Sequence, residues 1–128
     1  MAKKSQSKWL GRRVAKEGSY LILCLTDKEL QKAIKPLTKY SVFFPESGAK
    51  CSTFTKETTD ELCAVVTLSK SAQQLSLVEV YGLLVHEAVH VWQAYADSIG
   101  EVSPGKEQEA YAIQAIAQEL MAEYERRT

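Results

Sequence analysis

Leu83-Leu84-Val85-His86-Glu87-Ala88-Val89-His90-Val91-Trp92 contains the only two histidines of the chain, four residues apart. The surrounding sequence reads as one long helix. Ser76-Leu77-Val78-Glu79 has the form of a capping box, with a serine hydroxyl for the N3 amide and a glutamate that reaches back to the cap. From there Leu77, Val80, Tyr81, Leu84, Val85, Ala88, Val89, Trp92 and Tyr95 recur at helical spacing, until Gly100 offers a left-handed stop. The apolar stripe is broad, so the helix is expected to be buried on most sides. Residues four apart on a helix share a face, so His86 and His90 can present ring nitrogens to one metal ion.

Glu87 is rotated about 100° from His86 and falls beside such an ion, where a carboxylate can take a proton from water. The pattern is H-E-x-x-H, two ligands and a base. Paired histidines on a helix also occur as hydrogen-bonded residues at packing interfaces. An unpaired carboxylate and two imidazoles on a largely buried helix would each need partners, and a metal ion supplies them together.

A third ligand must come from elsewhere. Gln93 and Ala96 occupy the positions that would continue the pattern to a third histidine, so a carboxylate is required. Ser103-Pro104 reads as a cap followed by proline at N1, opening a second helix whose apolar repeat runs through Ala110, Ile113, Ile116, Ala117, Leu120 and Tyr124. Glu109 lies four before Ile113 and seven before Ile116, on the buried face. Glu107 aligns with Gln114 and Gln118 on the wetter side, Glu101 is in the loop, and Glu119, Glu123 and Glu125 are too far along. Glu109 is either a helix N-terminal carboxylate that complements the macrodipole or the third ligand. Its apolar face and the lack of rivals favour the ligand.

With Glu109-Ala110-Tyr111-Ala112 forming E-x-x-A, the stretch from about Leu75 to Tyr124 resembles the core of a gluzincin metallopeptidase. It is particularly similar to small zincin-like proteins of tailed phages and prophages. The resemblance implies an α+β fold in which a small twisted sheet packs on the active-site helix, with a second, ligand-bearing C-terminal helix and an edge strand lining a substrate cleft. It implies Zn²⁺ on His86, His90 and Glu109, with Glu87 as general base. The expected chemistry is metal-assisted hydrolysis of a protein or peptide substrate. An oxyanion-stabilising side chain is unassigned, since the chain has no Asn and no further His. Alternatives are a catalytically silent metal-binding domain that acts through a protein partner, and a nucleic-acid-associated protein using its basic tail.

Length and composition fit a single domain over residues 19–128 preceded by a basic tail over 1–18. The chain has 128 residues, 45% of them hydrophobic, enough for one core. No apolar run is long enough to span a membrane and no signal-peptide pattern is present, so a cytoplasmic protein is expected, in the host cytoplasm if phage-encoded. Cys24, Cys51 and Cys63 have no C-x-x-C spacing and are odd in number, which argues against a disulfide framework or a second zinc site. The net charge is zero, but Lys3, Lys4, Lys8, Arg12, Arg13 and Lys16 face only Glu17 in the first 17 residues, so that segment carries +5 and the remainder −5. Such a segment is either solvated or a contact for nucleic acid or an acidic partner, and Trp9 and Leu10 suggest that part of it docks.

Before the histidine helix the chain reads as mixed. Residues 20–25 form a buried-strand run, Thr26-Asp27-Lys28-Glu29 opens a short helix limited by Pro36, and Val42-Phe43-Phe44 reads as a short strand ended by Pro45. Strands are expected around 51–56 and 62–69. Residues 64–69 are the candidate cleft-lining strand or an ordinary sheet strand. No repeat, low-complexity tract or Gly-rich phosphate loop occurs.

Overall fold

The computed structural model describes residues 6–10, 20–56, 61–101 and 103–128. The fold is α+β. A four-stranded sheet is built from β1 (Trp9–Leu10), β2 (Tyr20–Cys24), β3 (Ala49–Thr55) and β4 (Leu62–Leu68), in the order β1-β2-β4-β3. The central pair, β2 and β4, is parallel, and β1 and β3 flank it antiparallel. Among the described residues three α-helices cover the sheet: α1 (Asp27–Ile34), α2 (Leu77–Ser98) and α3 (Lys106–Arg127).

Burial on both faces explains why β2 and β4 read as continuous apolar runs. Leu21, Leu23, Ala64, Val66 and Leu68 point to one side, against Val80, Leu84, Ala88 and Val91 of α2 and Ile116, Leu120 and Tyr124 of α3. Ile22, Cys24 and Val65 point to the other, against Leu30, Ala33 and Ile34 of α1. Every residue of β4 is buried.

The helix termini follow local chemistry. Ser76 and Glu79 form the expected capping box on α2. At its other end Gly100 takes a φ of 73°. The amide of Gly100 donates to Asp97 O and that of Glu101 to Ala96 O, the Schellman pattern that satisfies the last carbonyls. On α1, Thr26 Oγ1 accepts from the Glu29 amide, and Glu29 reaches back to the Leu25 amide. The expected cap of α3 is displaced: Gly105, not Ser103, is the N-cap, and its carbonyl accepts from the Glu109 amide. The Ser103 amide instead donates to the Glu101 side chain.

The docking expected of Trp9 and Leu10 is seen, a strand at 42–44 is not, and of the two alternatives for residues 64–69 one is decided. Within the 1–18 tail, Trp9 and Leu10 form a strand of the sheet, with Leu10 buried in the larger core; residues 1–5 and 11–19 lie outside the described residues. Val42 to Phe44 is not a strand. Val42 and Phe44 pack against the α1-side core while the Val42 carbonyl accepts from Gln31 Nε2, so that carbonyl is satisfied by a side chain. Residues 64–69 do not line an open edge, because β4 is paired on both sides; the edge strand beside α2 is β3.

Arg127, at the last turn of α3, ties the layers together. Its side chain is almost wholly buried, donating to the Leu23 carbonyl of β2 and to the Glu29 carboxylate of α1. Removing one member of a buried pair leaves an uncompensated charge. Arg127→Ala is expected to destabilise the protein by about 3 kcal/mol, read from the urea midpoint at constant m-value.

Candidate functional site

Helix α2 has three environments around its circumference. Val80, Leu84, Ala88 and Val91 face the sheet, Tyr81 and Trp92 reach α3, and His86 and His90 are exposed. Glu87, next to the exposed face, is only 4% exposed. One turn of helix therefore puts two imidazoles in solvent and a carboxylate at the edge of the core.

The histidine rings converge. Their Nε2 atoms are 3.2 Å apart, with ring centroids at 4.9 Å and planes at 73°. Two nitrogens held at about 2.0–2.1 Å from one tetrahedral zinc would lie about 3.3 Å apart, so the observed spacing fits a shared ion. His90 Nδ1 lies 3.0 Å from Gln93 Oε1. With that oxygen as acceptor, the proton sits on Nδ1 and Nε2 keeps its lone pair, the arrangement by which a neighbouring group orients a metal-binding imidazole. Gln93 is three residues beyond His90, a spacing visible in the sequence.

Burial raises the pKa of Glu87, and the neighbouring His86 and His90 pull it partly back. A base whose proton affinity exceeds that of an ordinary carboxylate is better suited to accept a proton from water at neutral pH. Across from it lies Cys51 of β3. Burial, and secondarily the Glu87 charge, pushes the Cys51 thiol up to about 12. Without a metal beside it, Cys51 is a neutral thiol at physiological pH and a poor nucleophile. It packs against the larger core.

Glu109 is placed where the helical phase puts it, half-buried on the α2-facing side of α3. Its Oε2 accepts a 2.8 Å hydrogen bond from Trp92 Nε1, two residues past His90. Glu107 is exposed, and Glu101 binds the Ser103 amide. Among the described residues no three His, Cys, Asp or Glu side chains converge as a metal cluster, so the structure brings His86 and His90 together and leaves Glu109 on the neighbouring tryptophan. Of the tyrosines near the site, Tyr95 is in the core and Tyr111 is 65% exposed. The Trp92 and Cys51 contacts were missed by sequence reasoning because they depend on how α3 and β3 are docked on α2.

Comparison with models of known protein families, with curated proteins and with solved structures gave no match.

The Trp92–Glu109 bond should be measurable alone. Trp92→Phe keeps an aromatic ring and removes the donor, and is expected to lower stability by about 1.5–3 kcal/mol, as for a hydrogen bond to a charged acceptor. In Glu109→Ala the same Trp92→Phe change should cost less, which a double-mutant cycle by denaturant unfolding measures.

Proposed function

We propose that this protein is a small zincin-like metallopeptidase of gluzincin type, with zinc held by His86, His90 and Glu109. The observation that carries the reading is the 3.2 Å approach of the two Nε2 atoms beside a buried Glu87. The donor set of two imidazoles and a carboxylate suits zinc and leaves a fourth position open. Trp92 takes one oxygen of Glu109 and leaves the other without a hydrogen bond among the described residues, so Glu109 would have to close on the histidines to complete the site.

When bound, zinc would lower the pKa of water and polarise a carbonyl. Glu87 takes the proton of the attacking water and passes it to the leaving amine as the peptide C–N bond breaks. Gln93 fixes the His90 tautomer. Among the described residues the outer edge of β3, the strand that carries Cys51, has no strand partner, which supports binding of an extended peptide by strand addition. The described cysteines are all free and suit a reducing compartment, so we place the activity in the cytoplasm. Among the described residues no helix is long and apolar enough to cross a membrane. A catalytically silent site held by the histidines is the second reading, favoured by the engagement of Glu109 with Trp92.

Purified protein should bind close to one zinc per chain, measured by atomic emission after dialysis. His86→Ala or His90→Ala should abolish binding, and Glu109→Ala should weaken it at least tenfold while Glu107→Ala does not. Folded protein that takes up no zinc when it is supplied ends the proposal. Unaltered affinity in Glu109→Ala removes the third ligand and leaves the silent reading.

Glu87→Gln separates chemistry from metal binding. Hydrolysis of a casein or peptide-library substrate should fall on the order of a hundredfold or more with zinc content unchanged. Equal turnover by the variant and the wild type would exclude Glu87 as the base.

A further inference from the structure

On the opposite face of the sheet from α2, α1 is the helix present among the described residues, and it is too short to cover the strands. Its eight residues rise about 12 Å at 1.5 Å each, and it begins just past the C-terminal end of β2 and runs back along the sheet. The chain then turns at residues 35–40, leaving the Tyr20 end of β2 as the floor of an open groove of about 1120 Å³.

The lining of this groove pairs aromatic rings with cations. Trp9, Tyr20 and Tyr40 supply ring surface, and Lys35, Lys39 and Lys56 supply charge. Trp9 is 38% and Tyr40 84% exposed, an unusual amount of aromatic surface in water. Lys56 Nζ stands 5.0 Å from the centre of the Tyr20 ring. Among the described residues no Asp or Glu lines the groove. Lys35, at the C-cap of α1, is explained by the negative end of that helix, since a cation there is favourable. Lys39 and Lys56 have no such reason, and among the described residues no salt bridge joins either to a carboxylate.

We propose that this groove binds nucleotide units, with bases stacked on Tyr40 and Trp9 and phosphates drawn to Lys39, Lys56 and Lys35. Aromatic platforms interleaved with lysines match a ligand that alternates flat apolar rings with negative charge, as single-stranded nucleic acid does. A free nucleotide offers the same chemistry once. The inference does not rest on the metallopeptidase reading: the groove shares no residue with the histidine site, and the sheet lies between them.

The test is fluorescence anisotropy of a short labelled oligothymidylate with the full chain, at several salt concentrations. Binding should weaken with log salt at a slope of about −2 if three lysines meet phosphates, given about −0.7 per contact for single strands. Tyr40→Ala should weaken binding about tenfold, and Lys39→Glu combined with Lys56→Glu at least tenfold. These side chains are exposed, so the unfolding midpoint and the zinc content should stay at wild-type values. Competition by free thymidine monophosphate assigns the groove to single nucleotides, whereas strand binding without such competition assigns it to strands; either outcome supports the proposal. It is overturned by no binding of strand or nucleotide, by binding unchanged in the groove variants, or by loss of binding only when Lys3 and Lys4 are replaced by Gln. Heparin binding equal to that of the strand and indifferent to Tyr40→Ala also overturns it, because charge alone would then account for the contact.

Discussion

The packing of α2 across β4 and β3, with α3 beside it over β2, is the contact on which the rest of the molecule depends. Val80, Leu84, Ala88 and Val91 are at most 1% exposed against strand residues that are buried as completely. Burying a side chain of this size is worth roughly 1.5–3 kcal/mol, and the gain is lost if the helix turns about its axis. With that face fixed, the positions of the other α2 residues are no longer free. Tyr81 and Trp92 must meet α3, His86 and His90 must face water, and Glu87 must fall on the boundary.

Glu87 is the conflict in this arrangement. A carboxylate that is 4% exposed beside Cys51 and an apolar core loses most of its hydration, and the sequence offers it no lysine or arginine on the same helix. Histidines that pull its pKa back down offset part of that cost. Sequences tend to break their own local consistency at functional positions. Glu87 breaks the pattern of a helix that is otherwise regular from its capping box to its Schellman stop, which is why the proposed function centres on it.

What could be read from the sequence was local. Ser76, Glu79 and Gly100 mark the ends of α2 through side-chain and backbone hydrogen bonds that involve near neighbours, and Thr26 with Glu29 does the same for α1. The α3 periodicity placed Glu109 toward α2 correctly, even though the cap lies at Gly105. What was not legible was non-local. The two-residue strand β1 has no periodicity of its own and is defined by pairing with Leu21 and Ile22. The edge position of β3 follows from the parallel pairing of β2 with β4, which joins segments some forty residues apart, as in Leu21 with Ala64. Val42 and Phe44 had the composition of a strand, but packing beside α1 took the side chains while a glutamine took the Val42 carbonyl.

The same division explains how the two candidate sites fit on so short a chain. The histidine site needs rigidity, and it sits on a 22-residue helix packed against the sheet and α3. The groove needs exposed ring and charge, and it lies where an eight-residue helix runs out before the strands do. Between them, β2 and β4 hold Leu23, Val65 and Val66 at 0% exposure. Such close-packed layers have few alternative arrangements, so a change at an exposed lysine or tyrosine on one face has little means of moving the imidazoles on the other.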